Sequence, residues 1–139
     1  MIVIHHNPEC STSRNVLAII QASGATPVVI EYLKTGWTYA QLMGLFAAAD
    51  LTPRTALHAT KSPAQELGLL DPTVSDQRLV EARLAHPVLV NRPIVCSPRG
   101  VRLCRPSEAV LDLLERLPSG PLYKEDGSPI LDAEGRPVA

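Results

Sequence analysis

A short apolar run, Ile2-Val3-Ile4, followed by Cys10 and then by apolar residues at helical spacing, constrains this chain more than any other feature. The run reads as a buried strand. From Thr12 onward, Val16, Leu17 and Ile20 mark one face of a helix. The six residues His6-Asn7-Pro8-Glu9-Cys10-Ser11 therefore form the junction between strand and helix. Cys10 sits where unpaired backbone N–H groups and the positive end of the helix dipole converge. Such a position lowers a thiol's pKa and makes it a nucleophile. It is also suited to an oxyanion.

The pattern continues as an α/β chain. Gly24 ends the first helix as a C-cap, and Pro27 to Leu33 reads as a second apolar strand. A strand-helix-strand start of this length predicts a parallel pair with a right-handed crossover. Residues 37–86 change character and read as a helical insertion. Thr38-x-x-Gln41 has capping-box spacing ahead of Leu42, Leu45 and Phe46. Ser62-Pro63-Ala64-Gln65 repeats the signature and predicts a short helix closed by Leu67-Gly68. A third helix is expected over 76–85. Strands return at Ile94-Val95-Cys96 and Val101 to Cys104, joined by the turn Ser97-Pro98-Arg99-Gly100. Pro106-Ser107-Glu108 opens a last helix carrying Val110, Leu111 and Leu114. From Pro118 on, four prolines and three glycines predict an extended, lightly packed tail.

The 139 residues favour a single domain over 1–139, and 45% hydrophobic content is enough for a core. A net charge of −1 gives no reason to expect nucleic acid or an anionic membrane as partner. No apolar run is long enough for a membrane span, and Met1 to His5 lacks the features of a secretory leader. Three widely spaced cysteines suit a reducing cytoplasm better than a disulfide framework.

Charge is unevenly placed. From Arg83 to Arg105 there are five arginines and no acidic residue. Arg92 and Arg105 each precede a proline at the start of an element, where side chains reach clefts, and a guanidinium fork suits a tetrahedral oxyanion. Arg83, Arg99 and Arg102 read as solvated surface charges. His6 precedes Cys10 by four residues, and a cationic imidazole there would favour the thiolate. Of His5 and His6, one is expected to pack and the other to be solvated. Arg14 follows Cys10 by one helical turn, placed either to hold the thiolate or an anion above it, or to lie on the surface. Ser13 stands where a redox dithiol would carry its second cysteine. Its hydroxyl is open to the thiolate or to a first-turn N–H. Cys10 thus lacks a local resolving partner and needs an outside thiol. Cys96 and Cys104 lie in apolar strands and read as structural. His5, His6 and Cys10 make a weak zinc signal, so no metal is expected. The Cys-x5-Arg signal of a phosphatase loop fails, because position 16 is Val16, and weighs against that class.

His6-Asn7-Pro8-x-Cys10-x-x-Ser13-Arg14, Asn91-Arg92-Pro93-Ile94-Val95 and Arg102-Leu103-Cys104-Arg105-Pro106-Ser107-Glu108 together resemble the glutaredoxin-coupled arsenate reductases. Gln65-Glu66-Leu67-Gly68-Leu69 and Lys124-Glu125-Asp126-Gly127 are similar too, so the likeness runs in register along nearly the whole chain. It implies a thioredoxin-like mixed sheet of about four strands with a helical insertion, and a cis Pro93 facing the reactive cysteine. It implies Cys10 as nucleophile, Arg92 and Arg105 as ligands of arsenate, and His6, Ser13 and Arg14 at the substrate site. Glutathione is the implied co-substrate and glutaredoxin the implied partner, with no bound cofactor. A third arginine usual in the family's insertion is replaced by His58, with Lys61 nearby as a substitute charge. That replacement keeps open a glutathione-dependent reductase acting on another substrate. A second alternative is a thioredoxin-like transcription regulator binding RNA polymerase. The missing Cys-x-x-Cys switch and the retained arginines weigh against it.

Overall fold

The computed structural model describes residues 1–59 and 62–138, which form two compact units. One is built from Met1–Ile30 and Arg92–Ala139, the other from Glu31–Asn91.

The first unit holds a four-stranded sheet in the order β2-β1-β3-β4. β1 (Val3–His5) lies parallel to β2 (Val28–Ile30) and antiparallel to β3 (Ile94–Ser97), and β3 runs antiparallel to β4 (Gly100–Leu103). This is the expected mixed sheet, and its parallel pair is the one read from the first thirty residues. Between β1 and β2 runs α1 (Ser11–Ala22), which buries Val16, Ile19 and Ile20 on Ile4 and Val95. It ends at Gly24, whose φ of +90° is left-handed and favours glycine. β2 stops earlier than expected. It is an edge strand, with Val28 and Val29 each more than 40% exposed.

Two elements of this unit differ from the sequence reading. The last helix is 3-10 rather than α, over Ser107–Leu113. Its buried residues Ser107, Val110 and Leu113 recur every third position, the period of a 3-10 face. The tail is not lightly packed. β5 (Leu122–Tyr123) and β6 (Pro129–Leu131) pair antiparallel, and Ile130 and Leu131 join the same core as Ile4. A Cβ on Gly120 would collide with the backbone of Asp132 and Gly135, so this glycine permits the tail to close on itself.

The second unit contains α2 (Tyr32–Thr35), α3 (Tyr39–Ala48) and α4 (Asp76–Ala85). Tyr32 and Leu33, expected in a strand, wind into α2 because the Tyr32 ring stacks on Trp37 with centroids 4.9 Å apart. Trp37 Nε1 in turn donates to Pro87 O at 3.2 Å. The capping box of Thr38 and Gln41 starts α3 as read. α4 covers the span expected for it, with Ser75 Oγ accepting from Arg78 N. The short helix expected after Ser62 is instead a chain of turns. Leu67 N–H donates to Pro63 O, Gly68 N–H to Gln65 O and Leu69 N–H to Ala64 O, three ring sizes that do not repeat. Gly68, at φ +73°, closes that turn before a helix can extend.

Arg83 also departs from expectation. It is fully buried, not solvated. Its guanidinium donates to Leu79 O at 3.3 Å and to Pro53 O, and lies 5.2 Å from the Phe46 ring centroid. Burial, with Arg54 nearby, pushes its pKa down to about 10. Carbonyl and ring partners replace water around a charge that α4's polar sequence hides from hydropathy reading.

Candidate active site

Cys10 is the N-cap of α1, with extended backbone angles φ −104° and ψ 122°. The loop before it is tightly wound. Cys10 N–H donates to Asn7 O at 3.1 Å, and Asn7 Oδ1 accepts from Glu9 N–H at 2.9 Å. This turn brings the sulfur over the open end of the helix, and Cys10 as a whole is 7% exposed.

Arg105 Nη1 lies 3.8 Å from Cys10 Sγ and also donates to Arg92 O at 3.0 Å. Arg92 lies two residues before β3, and Arg105 two residues after β4. Pairing of the two strands therefore sets both arginines at one end of the sheet, beside the start of α1. The Arg92–Pro93 bond is cis, and so is Arg105–Pro106. Burial pushes the Cys10 thiol up. The N–H of Ser13, the charge of Arg92, the hydrogen bond from Arg105 and the N–H of Thr12 outweigh that, and hold its pKa below the ordinary thiol value. The sulfur makes no geometric cap bond, so the two N–H groups act as dipoles aimed at it.

The structure places the remaining expected residues as follows. Ser13 is fully buried. Its Oγ shares a 2.6 Å hydrogen bond with His6 Nδ1 and accepts from Asn7 N–H at 3.1 Å. The hydroxyl thus holds the loop, and only the backbone N–H of Ser13 bears on the sulfur. His5 and His6 are both buried, contrary to the expectation that one is solvated. His5 closes β1 with Nδ1 3.1 Å from Ile94 O, and burial lowers its pKa. Arg14 donates through Nη1 to Pro8 O at 2.7 Å and through Nε and Nη2 to Glu125 at 2.8 and 3.1 Å. Neither Asn7 as the turn's organiser nor Glu125 as Arg14's partner was assigned a role in the sequence. Glu125 is 111 positions from Arg14, and no local pattern connects them. His58 belongs to the second unit, where its N–H donates to Leu89 O at 2.8 Å and its Nδ1 lies 2.9 Å from Val88 O. Lys61 lies outside the described residues.

The other two cysteines are chemically unlike Cys10. Burial raises the pKa of Cys96, and pushes Cys104 up to about 12. Among the described residues no cluster of three His, Cys, Asp or Glu side chains is placed to hold a metal, and no helix is long and apolar enough to cross a membrane.

A mixed four-stranded sheet with an activated cysteine at the first helix N-terminus, and an arginine nitrogen that links its sulfur to the carbonyl preceding a cis proline, defines a thioredoxin-like thiol protein. Comparison with known sequences narrows the class. The ArsC family pattern matches residues 5–113, and the chain belongs to that family. It is 65% identical over 138 residues to arsenate reductase ArsI2 of Synechocystis sp., covering 99% of each chain. It is 45% identical over 135 residues to an arsenate reductase of Escherichia coli K12, covering 97% of this chain and 96% of that one. Among solved structures, an arsenate reductase from Vibrio cholerae matches at TM-score 0.76 and 38% identity, over 81% of this chain and 97% of the other.

Proposed function

We propose that this protein reduces arsenate to arsenite through Cys10, with glutathione and glutaredoxin as electron donors. The observation that carries the reading is the convergence of Arg105 and Arg92 on the Cys10 sulfur at the start of α1. The names of relatives at up to 65% identity support arsenate as the substrate.

In this reading the Cys10 thiolate attacks arsenic and expels hydroxide, which leaves as water once protonated. An S–As(V) bond forms. Arg92 and Arg105 hold the oxyanion and stabilise charge in the transition state. A glutathione thiolate then attacks the Cys10 sulfur. The S–As bond breaks with its electron pair going to arsenic, which leaves as arsenite, and a Cys10–glutathione disulfide remains. Glutaredoxin attacks the glutathione sulfur and releases the Cys10 thiolate. An outside thiol is needed because Cys10 lacks a neighbouring thiol on its own helix, where Ser13 stands. His6, Ser13 and Arg14 shape the loop that carries the sulfur, and His58 enters the reading only through the family resemblance. All three cysteines are unpaired, which suits a reducing cytoplasm.

The test is arsenate turnover with glutathione and glutaredoxin, run beside Cys10→Ser and beside a glutathionylated peptide as competing substrate. Arsenite release by the wild type and none by Cys10→Ser is the expected result. Turnover retained in Cys10→Ser, or turnover of the peptide alone, overturns it.

A further inference from the structure

The turn between β5 and β6 reaches the first turn of α1. Glu125 engages Arg14 with both carboxylate oxygens, Oε2 from Nε at 2.8 Å and Oε1 from Nη2 at 3.1 Å. Its backbone N–H donates to Asn15 Oδ1 at 3.0 Å. The neighbouring Lys124 pairs with Glu108, so the turn is anchored on two sides. The third nitrogen of Arg14 donates to Pro8 O, two residues before the sulfur. Every nitrogen of this guanidinium is therefore taken up, two by the tail and one by the loop. Arg14 rises from the same face of α1 as Cys10, one turn on, and its stem is long enough to swing toward an anion held there.

We propose that Glu125 is a positioning residue that latches Arg14, holding the guanidinium on the Pro8 carbonyl and offsetting the positive charge it presents to Cys10 and an anion beside it. The inference rests on Cys10 being the reacting thiol. Without the latch the Arg14 charge is no longer offset and adds in full to those of Arg92 and Arg105, so oxyanion and thiolate are both held more tightly. Tighter ground-state holding lowers KM without raising kcat. The charges facing Arg14 are the Cys10 sulfur, Glu9 and Glu125. Those facing Cys10 from the sheet side are Arg92 and Arg105. Glu125 is the carboxylate in ion-pair contact with Arg14, and removing it leaves the positive charge without that partner.

The test is the pH dependence of Cys10 alkylation by iodoacetamide, together with arsenate KM and kcat, in the full chain and in Glu125→Gln, Glu125→Asp, Arg14→Gln and the double variant. In Glu125→Gln the alkylation midpoint falls by about 0.3–0.5 pH units, the effect of one partly screened charge. KM falls without a matching rise in kcat. Glu125→Asp returns both toward wild type, and the double variant behaves as Arg14→Gln. A purely structural role moves the melting temperature and not an Arg14-dependent midpoint. An unchanged or raised midpoint in Glu125→Gln, or a shift that survives in the double variant, overturns the latch alone. Labelling at a cysteine other than Cys10 overturns the assignment of the nucleophile, and the latch with it.

Discussion

One nitrogen of Arg105 bridges the Cys10 sulfur, 3.8 Å away, and the Arg92 carbonyl, 3.0 Å away. The contact ties the end of β4 to the start of β3 and aims both at the helix that activates the thiol. Two strands thus bring the Arg105 guanidinium to the sulfur and the charge of Arg92 to bear on it, which a single segment of chain cannot do.

Removing either cation destabilises the thiolate relative to the thiol, so the Cys10 pKa rises. Arg105→Ala and Arg92→Ala are each expected to move the alkylation midpoint to higher pH by about 0.5–1 pH unit. Arsenate KM should rise in both. Iodoacetamide rates measured across pH check the first effect, and steady-state kinetics the second.

Alkylation needs a thiolate, and the three cysteines differ in how readily they form one. Cys10 is held below the ordinary thiol value, Cys96 is raised, and Cys104 is pushed up to about 12. At pH 7 a limiting amount of iodoacetamide should label Cys10 alone, and Cys104 should react only after unfolding. Peptide mass spectrometry before and after denaturation reads this directly.

Ser13→Ala deletes a buried oxygen that serves both His6 Nδ1 and the Asn7 N–H. Leaving those groups without it is expected to cost about 1–3 kcal/mol of stability. The N–H of residue 13 remains in place, so the Cys10 midpoint should move less than in the arginine variants. A denaturant titration combined with the alkylation profile separates the two effects. A large midpoint shift with unchanged stability would contradict the loop-holding role.

Leu131 is fully buried in the core shared with Ile4 and Val16. Leu131→Ala is expected to cost about 2–4 kcal/mol. Tyr123→Ala in the same hairpin, where the ring is 57% exposed, should cost about 0.5 kcal/mol or less. Equal melting temperatures for the two variants would mean that the tail does not belong to the core.

Much of the architecture was legible because it follows from local periodicity. The junction at Cys10, the capping box at Thr38, the span of α4 and the hairpin at Ser97 to Gly100 each depend on residues within a few positions of one another. The misreadings share an opposite cause. Tyr32 left its strand pattern for a ring stack with Trp37, and Arg83 was drawn inside by the Phe46 ring and the Pro53 carbonyl. The proline- and glycine-rich tail gave no sign that Ile130 and Leu131 fill the core. Arg83 and the tail answer to partners far along the chain, and Tyr32 to a ring five residues on that a strand pattern does not register.

By itself the amino-acid order determined which thiol would be activated, since a cysteine at the start of a helix meets that helix's own N–H groups wherever the helix lies. It also marked the two arginines by their prolines. Only the tertiary structure decided that Arg105 reaches that sulfur with the charge of Arg92 acting on it too, that the Ser13 hydroxyl serves the loop, and that Arg14 is bound by Glu125. Those pairings span from a few residues to more than a hundred. Their geometry comes from strand order and core packing, which no local pattern encodes.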